Sequence, residues 1–155
     1  MGHSHHDDDI QTIIENAQKT CVEEGVKLTP KRENILIAII KAGEAVSAYE
    51  LAEVYRELYK QPIPAMSVYR ILDFLVELSL VHKLTSANKY IACSHISCSH
   101  NHEIPQFLIC EECQSVTEIG VKNNVIEELR GSVEKTGFKL TTQQLELKGI
   151  CANCQ

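Results

Sequence analysis

The sequence predicts an α+β fold in two parts, an N-terminal winged helix-turn-helix domain followed by a small α/β unit. Three observations predict it. The chain from Ile10 onward reads as short amphipathic helices separated by capped turns. A compact hairpin signal follows the last of them. From about Cys93 the pattern changes to strands around one helix, with a Cys-x-x-Cys pair near each end.

"IQTIIENAQKTCVEEG" places Ile10, Ile13, Ile14, Ala17 and Cys21 at helical spacing, with Gly25 as the stop. Cys21 falls on that apolar stripe and reads as a small buried residue. "LTPKRENILIAIIKAG" opens a second helix, in which Thr29 can cap, Pro30 suits the first turn and Gly43 ends it. "SAYELAEVYRELYK" begins with Ser47 and Glu50 in capping-box spacing, and Leu51, Val54, Tyr55 and Leu58 form its apolar face. After the helix-breaking "QPIP", "AMSVYRILDFLVELSL" puts Val68, Ile71, Leu72 and Leu75 on one side. "LVHKLTSANKYIAC" then reads as two short strands around a polar turn near Ser86 to Asn88. In a winged helix the last helix before the wing enters the major groove.

Further on, "QFLIC" and "SVTEIGV" read as strands flanking a cysteine knuckle. "NNVIEELRGSVEKTG" reads as a helix ending at Gly137, and "FKLTTQQLELKGIC" as a strand. The domain boundary falls between residues 84 and 95, giving a winged-helix domain at 10–88 and the α/β unit at 89–155. The start, "MGHSHHDDD", is set aside as a disordered chelating tail or cloning remnant over residues 1–9.

At 155 residues, 44% apolar and 23% charged, the chain has the composition of a soluble globular protein. No apolar run approaches the ~20 residues of a membrane span, and the polar start lacks the apolar core of a secretory signal. Seven cysteines, four of them in Cys-x-x-Cys pairs, suit thiolates on metal in a reducing compartment better than a disulfide framework. The expected location is the cytoplasm. The net charge of −6 is concentrated outside residues 10–92, where basic and acidic side chains balance. Composition therefore leaves room for a local basic face that meets nucleic acid.

Cys110-x-x-Cys113 and Cys151-x-x-Cys154 are separated by enough chain for one helix and its strands. A knuckle at each end can then meet the other and surround one Zn(II) with four thiolates. Such a site is closed, so it supplies folding free energy and no catalysis. The alternative, two redox pairs of the thioredoxin kind, would place a single pair at a helix start.

Ligand-type residues remain in surplus. His82 and Cys93 lie on the two wing strands, His100 and His102 precede the first knuckle, and Glu118 follows it. A second site can draw on His82, Cys93, one of His100 or His102, and Glu118. One sulfur, two nitrogens and one oxygen suit tetrahedral Zn(II); Fe(II) or Mn(II) would use more carboxylate and imidazole and no thiolate. Taken alone, His82 reads as an exposed strand residue, Cys93 as a buried one and Glu118 as a solvated carboxylate. A metal gripping the wing and the second domain would fix the angle between them.

The segments "LTPKRENIL", "SAYEL", "SVYRILDFLVELSLVHKL", the His-rich run, "CEEC" and "CANC" resemble the ferric uptake regulator family over nearly the whole chain from Ile10. The chain is most similar to the family's zinc uptake regulator branch. His82 stands eleven residues before Cys93, a histidine shortly precedes the knuckle, and Glu118 stands eight residues after Cys110. The resemblance implies structural zinc on Cys110, Cys113, Cys151 and Cys154. It implies sensory zinc on His82, Cys93, His102 and Glu118, with His100 the alternative to the nearer His102. That is two Zn(II) per chain. His95 and Cys98 match no family role and are expected in a loop.

The resemblance also implies a homodimer that binds an AT-rich, near-palindromic double-stranded operator when zinc-loaded and represses zinc-uptake genes. Tyr69 and Arg70 would reach base edges, with Arg70 pairing to guanine and Tyr69 touching a thymine methyl. Ser67, Lys31, Arg32 and Tyr49 would hold phosphates, and Lys83 and Lys89 would track the backbone from the wing. Glu53 and Arg56 read as a local surface pair. The alternatives are a family member sensing iron, manganese or peroxide, against which Cys93 argues, and a zinc buffer or metallochaperone that never touches DNA. The second leaves the helical half without a purpose. The chain carries no His-Glu-x-x-His or other open three-ligand motif, so neither an enzyme nor a small-molecule substrate is expected.

Overall fold

The structure is a computed structural model that describes residues 4–94, 96 and 103–155. It divides into two compact units, Met1–Cys98 and Ser99–Gln155.

The first unit runs α1 (Ser4–Glu23), α2 (Pro30–Ala42), α3 (Ala48–Tyr59), α4 (Ala65–Glu77), β1 (Val81–Leu84) and β2 (Lys89–Ala92). The caps act as their residue types dictate. Thr29 accepts from the Arg32 N–H at 3.4 Å, and Ser47 from the Glu50 N–H at 3.1 Å. Gly43 ends α2 in the left-handed region at φ 68°, where a side chain would be strained. Ile35, Leu36, Leu51, Leu72 and Leu75 are fully buried and form the centre of the core, which Ile14, Ala17 and Cys21 of α1 join. Burial pushes the Cys21 thiol up, as befits an inert core cysteine.

β1 and β2 form an antiparallel hairpin in which His82 pairs with Ile91. Tyr90, fully buried, ties the hairpin to the segment before α3: its N–H donates to the Val46 carbonyl at 2.7 Å, and its carbonyl accepts from the Val46 N–H at 2.9 Å. The wing is thereby fixed relative to α3.

The second unit runs β3 (Glu103–Cys110), β4 (Val116–Lys122), α5 (Asn123–Glu134) and β5 (Glu146–Gly149). The sheet order is β4-β3-β5, antiparallel between β3 and β4 and parallel between β3 and β5. Its core is small: Phe107, Ile109 and Ile126 are its large buried apolar side chains.

Helix α1 begins at Ser4. β2 pairs wholly with β1, and the Cys93 N–H donates to the Leu80 carbonyl at 3.0 Å, so the hairpin and Cys93 belong to the first unit. The expected strand from Phe138 is regular only over Glu146–Gly149. Ahead of it the buried carboxamide of Gln106 replaces ladder bonds, donating to the Gln143 carbonyl at 2.7 Å and accepting from the Leu145 N–H.

Candidate metal centres and nucleic-acid interface

Each knuckle grows out of a strand end. Cys110 closes β3, and the chain turns so tightly that the Gln114 N–H reaches the Cys110 carbonyl at 3.0 Å, with Gln114 itself at φ 61°. The Cys110 N–H donates to the Ser115 carbonyl and the Glu111 N–H to the Gly149 carbonyl, so the knuckle is stitched to both neighbouring strands. After β5 a second turn is closed by the Cys154 N–H on the Cys151 carbonyl, 3.0 Å. The parallel pairing of Cys110 with Gly149 brings the two turns together.

The four sulfurs lie within 4.8 Å of one another, and Cys113 and Cys151 are 3.7 Å apart. Four Zn–S bonds of ~2.3 Å at tetrahedral angles require sulfurs about 3.8 Å apart. The residues therefore fit a zinc ion. Donors already face the site: the Cys151 N–H points at the Cys110 sulfur at 3.4 Å. Backbone N–H groups of Cys113 and Cys151 hold the Cys110 thiol down at about 6. Ser115, 3.1 Å from the Cys113 sulfur, lowers that thiol as well. Cys154 is pushed up to about 12, chiefly by its contacts with the Cys151 and Cys113 sulfurs. Crowding four sulfurs without a cation makes the last proton hard to remove, and a divalent ion reverses that balance. Ser115 escaped the sequence reading; its place two residues after Cys113 was the available signal.

On the wing, His82 and Cys93 occupy diagonal positions on one face of the hairpin, since His82 pairs with Ile91 and Cys93 follows β2 by one residue. An imidazole nitrogen and the Cys93 sulfur lie within 4.8 Å, and both residues are half-buried. Glu118 belongs to the second unit, on β4 opposite Phe107 of β3. Glu146 stands opposite Phe107 from the other side, a carboxylate the sequence reading passed over because strand register is invisible before the pairing is known. His100 and His102, with His95 and Cys98, lie outside the described residues.

The first turns of α4 present Met66, 63% exposed, and the exposed Arg70, while Ser67 and Tyr69 are half-buried. Tyr49 of α3, 66% exposed, meets Tyr69 edge-on with ring centroids 6.2 Å apart. Lys31 is exposed at the start of α2, and Lys83 stands exposed on β1 with its ammonium 5.8 Å from the Tyr90 ring centroid. Lys89 is half-buried. Arg32 is half-buried: its guanidinium lies 3.7 Å over the Phe74 ring and donates to the Lys27 carbonyl at 2.8 Å. Glu53 and Arg56 form an exposed ion pair on α3, worth little in water. No helix among the described residues is long and apolar enough to cross a membrane.

The model of the ferric uptake regulator family matches residues 23–148. The chain is 36% identical to the zinc uptake regulation protein of Escherichia coli K12 over 144 residues, 93% of this chain and 82% of that protein. It is also similar to the solved structure of a zinc uptake regulator complexed with zinc and DNA, with a TM-score of 0.78 at 33% identity, covering 94% of each chain. The crystal structure of holo XcZur gives a TM-score of 0.72 at 38% identity, over 91% of this chain and 95% of that one. With four thiols gathered around a zinc-sized space and a wing behind an exposed recognition helix, the chain belongs to the ferric uptake regulator family.

Proposed function

We propose that this protein is a zinc-responsive, DNA-binding repressor of zinc-uptake genes, acting in the cytoplasm as a homodimer with two Zn(II) per chain. The observation that carries the reading is the thiol–imidazole pair of Cys93 and His82 on the wing of a DNA-binding unit. A sulfur donor there favours zinc over iron or manganese, and the likeness to zinc uptake regulators along most of the chain supports it. The first zinc, on Cys110, Cys113, Cys151 and Cys154, holds the second unit folded. The second is taken by His82 and Cys93 together with Glu118 and His102, His100 being the alternative. When bound it supplies a cross-link between wing and second unit.

Tyr69 and Arg70 read bases in an AT-rich, near-palindromic operator, while Ser67, Lys31 and Tyr49 contact phosphates. The dimer is supported by the second unit's surface. The outer edge of β5 carries no ladder partner among the described residues. Beside it a groove of about 370 Å³ is lined by Leu108, Thr117, Leu147 and Ile150, and α5 exposes Val125 and Leu129. An open strand edge flanked by apolar surface is a template for a second copy. The role is regulatory and not enzymatic.

The test is zinc content per chain after a moderate chelator and again after zinc is returned, with DNA binding followed on both samples. One retained zinc, one exchangeable zinc and DNA binding only with both support the reading. A single zinc that never exchanges, with DNA binding indifferent to it, overturns it.

A further inference from the structure

We propose that Arg32 is a positioning residue that sets the recognition helix α4 for DNA, acting through Phe74 and not by holding a phosphate. The proposal rests on the DNA-binding reading above. Arg32 stands in the first turn of α2, where positive charge is disfavoured by the helix dipole. Its placement therefore calls for a compensating interaction, and the geometry provides two. The guanidinium carbon lies 3.7 Å from the centroid of Phe74, a stacking distance. One of its N–H groups donates to the Lys27 carbonyl at 2.8 Å, in the loop that leads from α1 into α2.

Phe74 is partly buried against the core of the first unit. It also lies one helical turn beyond Arg70, so the two share a side of α4. Arg32 thus clamps α4 from α2 at the level just behind the base-reading residue. Next to Arg70 in sequence, Tyr69 meets Tyr49 of α3 edge-on, a second contact that holds α4 in place. Recognition needs the helix held at one rotation about its axis, and the Arg32 stack opposes rolling of the Arg70 side.

A positioning role and a phosphate contact differ in salt dependence. Each phosphate contact contributes about 0.9 to the slope of log affinity against log salt, and a positioning residue contributes none. The experiment uses the zinc-loaded, full-length protein and a fluorescent duplex selected from random sequence by the wild type. Failure of the wild type to select any duplex would overturn the DNA-binding reading itself. With binding in hand, Arg32→Ala is expected to weaken affinity about fivefold at every salt concentration, with the wild-type slope retained. In a Phe74→Leu background the same substitution is expected to cost almost nothing. Arg32→Lys keeps the charge but loses the planar fork, so it is expected to remain weaker than wild type; this variant also serves if the alanine variant does not fold. A slope reduced by about 0.9, equal costs with and without Phe74, or full recovery in Arg32→Lys would each overturn the proposal.

Discussion

Replacing Cys110 by serine is expected to unfold the second unit while leaving the first intact. The apolar core of the second unit rests on Phe107, Ile109 and Ile126. Burying three such side chains contributes about 5–9 kcal/mol before chain entropy is subtracted. A structural zinc site contributes ~10–16 kcal/mol at neutral pH. The metal term therefore exceeds the core term, and the unit cannot afford the loss of one of its four ligands. The first unit has its own core, spread over four helices and the hairpin. Helix α5 has 12 residues, against 20, 13, 12 and 13 in α1 to α4. Loss of the second unit should thus remove only about a sixth of the helical circular dichroism, and a chelator strong enough to strip the site should do the same. The remaining signal should still melt cooperatively. Complete loss of helix, or a second unit that stays folded without metal, would refute the reasoning.

Cys93→Ala is expected to keep one zinc per chain and the melting of both units, yet to make DNA affinity independent of added zinc; metal analysis with anisotropy titration checks this. Arg70→Ala should cost ~1–3 kcal/mol of discrimination at one base position, whereas Lys31→Ala should weaken all sequences alike and lower the salt slope by about 1. Backbone N–H groups hold the Cys110 thiol at about 6, below its ordinary value of 9.0. Wherever the second unit is folded, ionised Cys110 adds stability that is present above the thiol's ordinary value and is lost as pH falls through about 6, an increment that does not replace the zinc itself. Zinc retained at equilibrium by the loaded protein should decline over the same fall. Cys154, pushed up to about 12, still carries its proton at neutral pH, so zinc loading should acidify a weakly buffered sample.

Much of this was legible in the sequence because the signals are local. Thr29, Pro30 and Gly43 bracket α2, and Ser47 starts α3, since a cap needs only residues within one turn of itself. The apolar face of α4 was readable as Val68, Ile71, Leu72 and Leu75, all buried. The two Cys-x-x-Cys knuckles were readable from spacing alone. The missed features depend on distant partners. Gln106 looks like a surface amide until it is seen bonding to Gln143 and Leu145. The pairing of Glu118 and Glu146 with Phe107 follows from strand register. The stacking of Arg32 on Phe74 follows from the approach of α4 to α2, which no local signal in either segment gives.

The central claim is that zinc on the wing and DNA on α4 are coupled, and coupling in binding is reciprocal. The most direct measurement is the affinity of the exchangeable zinc with and without saturating DNA, in wild type and in Cys93→Ala. The account predicts that DNA tightens the wild-type zinc by the same factor that zinc tightens DNA, about 100-fold or ~2.7 kcal/mol. In Cys93→Ala that factor should fall to one. An exchangeable zinc whose affinity is the same with and without DNA would contradict the account, however tightly either ligand binds alone.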